Sequence, residues 1–170
     1  REDQDKWALR SHARAVRAQQ NGRFQEEILP LSAPQAKGLT RIVDKDEAVR
    51  EDTSFEALAA LKPVFYETGT ITAGNAPGVS DGAAVLLLMS RKKARELGLK
   101  PLARIVTHAS IGQDVPYLAT VPALATSKAL KKAGLDKDQL DLIEINEAFA
   151  SVVLKSMKIL KKKKPKININ

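Results

Sequence analysis

The chain has 170 residues, a formal net charge of +8 and 44% hydrophobic residues, which is enough apolar content to bury the core of one ordinary domain. It contains no cysteine, which excludes disulfides, thiolate metal sites and a cysteine nucleophile within these residues. The two histidines, His12 and His108, stand in unrelated contexts, so we interpret both as structural or surface residues and predict no metal site.

The positive charge is concentrated at the end of the sequence. Residues 155–170 contain seven lysines and no acid, which leaves +1 for the rest of the chain. This segment lacks the interleaved aromatic residues of a base-stacking surface, so we predict a solvated tail that contributes little to folding and binds no nucleic acid. A basic nucleic-acid binder is an alternative that rests on this tail alone, and it predicts steeply salt-dependent DNA binding.

The sequence does not predict a membrane protein. It has no run of about 18 apolar residues, and its first residues, REDQDKWALR, lack the apolar region of a signal peptide. We therefore expect no membrane partner and find no targeting segment. Cytoplasmic, mitochondrial and peroxisomal locations are all compatible with the chain.

The first half is predicted to combine helices with irregular structure. Helical periodicity runs from Glu2 to about Asn21, and Gly22 is a stop signal. The stretch FQEEILPLSAPQAKGLTRIV reads as short strands and loops, and TSFEALAAL as a short helix with Thr53 and Glu56 in a capping box. The long loop TGTITAGNAPGVSDGAA is rich in residues that let the main chain turn tightly and approach a ligand, which favours a functional role.

Beyond residue 80 the pattern becomes regular. The apolar run AAVLLLMS, the helix RKKAREL ending at Gly98, the alternating LARIVTHAS and the helix PALATSKALKKA between Pro122 and Gly134 follow in turn, and then DLIEI, another helix and KININ. Strands that alternate with helices predict βαβ units, and hence an α/β fold in which helices pack on a parallel or mixed sheet.

The segment EINEAFA places Asn146 between an apolar run and a helix. Asparagine is among the best helix N-caps, and Glu147 would add negative charge near the helix N-terminus. The junction between a strand and a helix is also a usual place for an active site in α/β proteins. The residues alone favour the cap, and the two roles are compatible.

Three segments together, GTITAGNAPGVSDGAA, GLKPLARI and EINEAFA, with KALKKAGL between the last two, resemble the thiolase family of acetyl-CoA acetyltransferases and 3-ketoacyl-CoA thiolases. The resemblance implies a layered αβαβα fold of two similar halves, with a loop domain inserted into the first. By this comparison residues 1–80 are the latter part of the loop domain, 81–101 the end of the N-terminal half, and 102–170 the first part of the C-terminal half.

The resemblance also implies an activity, which is the thiolysis and synthesis of acetoacetyl-CoA or 3-ketoacyl-CoA by acyl transfer to and from coenzyme A. Acyl-CoA is then a substrate, and no cofactor is bound covalently. The family's nucleophilic cysteine and its GHP-type histidine loop match nothing here, so we expect the isolated chain to be inactive. A non-catalytic coenzyme A-binding module is the alternative. Family members are homodimers or homotetramers, but their dimer surface lies largely outside the matched segments.

The resemblance carries specific roles to individual positions. Asn146 matches the asparagine that holds a water near the thioester enolate oxygen, a task that suits a neutral amide. Arg50 matches an arginine near the nucleotide end of coenzyme A, where it pairs with phosphate or stacks on adenine, and a surface ion pair is the alternative. Phe65, Ala73 and Ala76 match positions lining the pantetheine tunnel, although a lone aromatic such as Phe65 more commonly packs in a core.

Pro77, Leu118 and Phe149 complete the predicted coenzyme A site. Pro77 replaces the serine of many family members, which removes one hydrogen bond to the ligand. Leu118 and Ala119 stand where the family commonly has Met-Gly, so the acyl pocket differs there. Phe149 either lines the active site beside Asn146 or begins the apolar face of the last helix, and the helical spacing favours the second role.

Overall fold

The computed structural model describes residues 1–161 and 167–169. Its elements are α1 (Glu2–Gln20), β1 (Leu31–Pro34), β2 (Thr40–Val43), α2 (Phe55–Ala60), α3 (Arg91–Glu96), α4 (Val121–Ala133) and α5 (Ala150–Leu160), with short 3-10 helices at Ala36–Gly38, Val115–Thr120 and Lys137–Gln139. The five α-helices predicted from periodicity and stop signals are confirmed. Gly134, with φ of 66°, ends α4 in the left-handed conformation that glycine adopts without steric cost.

The two named strands form a hairpin. β1 and β2 are antiparallel, with Leu31 opposite Val43. The sequence predicted a parallel or mixed sheet, but in the part of the chain that the structure describes the parallel pairing is limited to one bridge, between Ile143 in DLIEI and Ile167 in KININ. The runs AAVLLLMS and LARIVTHAS lie outside any strand, and Leu102 is fully exposed. The prediction of strands at these two runs is therefore wrong, because their apolar pattern meets no neighbouring strand in residues 1–161 and 167–169.

Two helix starts differ from the prediction. The N-cap of α2 is Ser54 and not Thr53, since the Ser54 hydroxyl accepts the N–H of Ala57 at 3.1 Å. α5 begins at Ala150 and has Phe149 at its N-cap position, so the interpretation of Asn146 as the cap is wrong. Asn146 lies in the irregular segment before this helix and is exposed.

The main core lies where α1 and α5 meet the segments around Ile143 and Ile167. Its buried members are Trp7, Ile143, Ile145, Ala150, Val152, Val153 and Ile167. Ile167 is completely buried and Asn168 is 9% exposed. The prediction of a solvated tail over residues 155–170 is therefore wrong for Ile167 and Asn168, and also for Ser156 and Leu160, which are buried in α5. Most of the lysine run lies outside the described residues.

Two classes of feature are absent from residues 1–161 and 167–169. No helix there is both long and apolar enough to cross a membrane. No group of three or more His, Cys, Asp or Glu side chains is arranged there to hold a metal ion.

Candidate functional site

A cleft of about 770 Å³ lies between α1, α2, residues 48–53 and the loop 73–80. This volume falls within the range of roughly 300–1,000 Å³ that is usual for small-molecule sites. Four of the residues predicted to contact coenzyme A line the cleft: Arg50, Ala73, Ala76 and Pro77.

Asn75 holds the loop that forms one wall of the cleft. It is 4% exposed, and its Nδ2 donates to Asp5 Oδ1 at 3.0 Å while its Oδ1 accepts the N–H of Thr72 at 3.0 Å. Asp5 is itself buried and forms an ion pair with Arg1 at 2.6 Å. The carbonyl of Asn75 accepts the N–H of Ala150 at 3.0 Å. One side chain and its backbone therefore connect the cleft loop to both α1 and α5.

Gly74 lets the same loop approach α2 closely. A Cβ atom at this position would lie 2.5 Å from Leu58 Cδ2 and 2.6 Å from Leu61 Cδ1, and Leu58 is only 3% exposed. At Gly78, by contrast, an added Cβ would meet nothing within 4 Å. The glycine-rich pattern thus reflects close packing at Gly74 and leaves open space at Gly78.

His12 holds the segment that carries Arg50. Its Nδ1 accepts the backbone N–H of Arg50 at 3.2 Å, which requires the neutral imidazole with its proton on Nε2. Burial and, to a smaller extent, the charge of Arg50 lower the pKa of His12. Sequence analysis gave His12 no role in a site. The signal that could have found it is helical spacing, because Trp7, Ala8 and Ser11 line the cleft from the same stripe of α1.

Glu147 is a second residue that sequence analysis assigned only to a helix terminus. Its Oε1 accepts the Trp7 indole N–H at 2.9 Å, and its Oε2 accepts the Ser11 hydroxyl at 2.7 Å. Asn168 Nδ2 also donates to Glu147 Oε1 at 2.9 Å. Glu147 lines the cleft and is the immediate neighbour of Asn146.

The other predicted site residues do not line the cleft. Phe65 is 66% exposed, and Leu118 is 52% exposed in the 3-10 helix that precedes α4. Phe149 is partly buried against the main core. Asn146 does not line the cleft, although its neighbour Glu147 does. The cleft therefore contains the predicted nucleotide contact Arg50 and the predicted ligand contacts Ala73, Ala76 and Pro77. The predicted pantetheine contact Phe65 and the predicted acyl-pocket residues do not line it.

Comparison with known proteins gives consistent matches along the chain. Residues 1–92 match the family described as thiolase, N-terminal domain, and residues 99–170 match thiolase, C-terminal domain. A probable acetyl-CoA acyltransferase of Staphylococcus aureus (strain N315) is 47% identical over 169 residues, which are 99% of this chain and 43% of that protein. An acetyl-CoA acetyltransferase of Chromobacterium violaceum is 48% identical over 170 residues, 100% of this chain and 43% of that protein.

Solved structures give the same result for the fold. The Bacillus anthracis acetyl-CoA acetyltransferase aligns with a TM-score of 0.89 and 44% identity over 98% of this chain and 42% of its own. Human mitochondrial 3-ketoacyl-CoA thiolase aligns with a TM-score of 0.85 and 39% identity over 99% of this chain and 42% of its own. The chain thus spans less than half the length of the relatives that it matches, and its mixture of helices and a small sheet is part of their α/β fold.

Proposed function

This chain belongs to the thiolase family, and on that premise we propose that it supplies coenzyme A contacts to a thiolase that makes or cleaves acetoacetyl-CoA or another 3-ketoacyl-CoA. The observation that carries the proposal is the cleft, in which Arg50 lies together with the small residues of the loop 73–80. In such a cleft the cation Arg50 can bind a phosphate group of coenzyme A, and the main chain of the loop 73–80 can contact the narrow, flexible pantetheine arm.

The residues of the cleft suit the two chemical parts of coenzyme A. Arg50 is exposed, and its guanidinium presents paired N–H donors that match phosphate oxygens. Ala73, Gly74 and Ala76 have little or no side chain, so an extended ligand can lie against the main chain. The cleft lining also includes two acids, Asp52 and Glu147. Glu147 accepts hydrogen bonds from Trp7 and Ser11, which offset part of its repulsion of an anionic ligand.

Acyl transfer needs more than a binding surface. It requires a thiolate to hold the acyl group, a base to form the carbanion, and donors that stabilise the thioester oxygen. Asn146 would contribute to the last of these by orienting a water. The 170 residues contain no cysteine, so they offer no thiol for covalent storage of the acyl group. We therefore expect this chain alone to bind coenzyme A without turning over acetoacetyl-CoA.

Calorimetric titration with coenzyme A tests the proposal. Arg50→Ala should weaken binding by about tenfold or more, since a charge-assisted hydrogen bond contributes roughly 1.5–3 kcal/mol. Arg23→Ala is the matched control, because Arg23 is also exposed but lies outside the cleft lining. Absence of binding, or equal affinity in all three proteins, would overturn the assignment. A parallel assay of acetoacetyl-CoA cleavage should show none, and turnover there would contradict the expected need for a thiol.

A further inference from the structure

The side chain of Asn168 brackets one backbone unit just before Asn146. Its Oδ1 accepts the N–H of Ile145 at 2.8 Å, and its Nδ2 donates to the carbonyl of Ile145 at 2.8 Å. The same Nδ2 donates to Glu147 Oε1 at 2.9 Å. A single amide therefore binds the residue before Asn146 and the residue after it.

We call the hydrogen bonds from Asn168 to Ile145 and Glu147 the clamp. Asn168 and Glu147 are themselves held in place by other contacts. Asn168 donates its backbone N–H to the carbonyl of Ile143 at 3.0 Å, and its φ of 44° lies in the left-handed region, which asparagine adopts more readily than most residues. Glu147 is held on α1 by Trp7 and Ser11. Asn146 is exposed, but the backbone on either side of it is attached to buried structure.

The direction of a side chain is set by the backbone that carries it, and a reacting group must be held within about 0.5 Å of its productive position. We propose that Asn168 and Glu147 are positioning residues that aim Asn146 at the thioester of a bound acyl-CoA. This inference rests on the proposed function, because it assumes that Asn146 acts near a thioester. Asn168 and Glu147 act through Asn146 and do not contact the thioester themselves.

The ratio of the acetyl-CoA and coenzyme A dissociation constants separates positioning from general stability. Loss of folding weakens both ligands equally, whereas misdirection of Asn146 weakens only the ligand that has a thioester. Asn168→Ala and Glu147→Gln should each raise the ratio by about three- to tenfold, as Asn146→Ala should. Glu144→Gln, at an exposed acid of the same segment, should leave it unchanged.

Coupling between the residues supplies the decisive comparison. If Asn168 acts through Asn146, the double variant Asn146→Ala/Asn168→Ala should have the same ratio as Asn146→Ala alone. An unchanged ratio in Asn168→Ala, or effects that add in the double variant, would overturn the proposal.

A measurement without ligand keeps the inference independent of coenzyme A binding. In Asn168→Ala the backbone amides of residues 145–147 should exchange with deuterium at least about tenfold faster, while those of α5 stay unchanged, because only the clamp has been opened. Unchanged exchange at 145–147, or an equal increase throughout α5, would contradict positioning. If the wild-type chain binds neither ligand, the proposed function fails, and the exchange result still decides whether Asn168 holds this segment.

Discussion

Replacing Asn75 with alanine removes the side chain that ties the cleft loop to α1. Three hydrogen bonds are lost: the donations to Asp5 Oδ1 and to the carbonyl of Thr70, and the acceptance of the Thr72 N–H, all at 3.0 Å. Asp5 is 1% exposed and would keep Arg1 as an ion-pair partner. The Thr72 amide would lose its acceptor in a site that is fully buried.

The magnitude follows from the kind of each bond. A hydrogen bond to a charged group contributes about 1.5–3 kcal/mol and a neutral one about 0.5–1.5 kcal/mol. Water entering the space left by the amide would recover part of this loss, so we expect the free energy of unfolding to fall by about 3 kcal/mol. That is a large fraction of the roughly 5–15 kcal/mol by which a domain is usually stable.

Urea denaturation followed by tryptophan fluorescence measures this change. Trp7 is the single tryptophan of the chain and is 2% exposed, so its emission reports loss of the core in which α1 and α5 meet. The control is Asn21→Ala, at an exposed asparagine, which should change the free energy by no more than about 0.5 kcal/mol. A loss below about 1 kcal/mol in Asn75→Ala would refute the network as the support of the cleft wall.

Three further changes probe separate contacts. Gly74→Ala should destabilise the fold by about 1–3 kcal/mol, because its Cβ would overlap Leu58, whereas Gly78→Ala should be nearly neutral; equal effects in urea denaturation would contradict the packing argument. Ile167→Ala should cost about 2–4 kcal/mol, and a change near zero would show that the end of the chain does not pack in the core. Because the pKa of His12 is lowered from 6.5, the unfolded chain binds more protons just below that pH, so the free energy of unfolding should fall as the pH drops below about 6.5. His12→Gln should flatten that slope in pH-dependent melts, and an unchanged slope would contradict the assignment.

Helices were predictable from sequence because their signals are local. Periodicity and a terminal glycine define α1 and α4 within the chain itself. Strands depend on a partner elsewhere, so an apolar run such as AAVLLLMS gives no indication of whether one is present. The cap prediction for Asn146 failed for a related reason, since the helix starts at Ala150 and the preceding segment is held by Asn168.

The candidate site was predictable only in part. Arg50, Ala73, Ala76 and Pro77 were identified through family resemblance, and they do lie in one cleft. Helical spacing could have placed His12 beside the cleft-lining residues of α1, but its hydrogen bond to the Arg50 backbone joins segments that are far apart in the sequence and was not predictable. Asn168 was missed because its hydrogen-bond partners Ile145 and Glu147 precede it by more than 20 residues, with α5 between them in the sequence. Contacts of this kind depend on tertiary structure, and neither composition nor periodicity predicts which two residues will form one.

The most direct test of the central claim is to locate coenzyme A on the chain by NMR. Titration of the ¹⁵N-labelled protein with coenzyme A should shift the backbone amides of His12, Arg50 and the non-proline residues of 73–78, which line the cleft. The amides of the hairpin Leu31–Val43 should stay unshifted, because none of its residues lines the cleft. Shifts confined to α4 or to the lysines near the end of the chain, with none at 73–78, would contradict a coenzyme A site in this cleft.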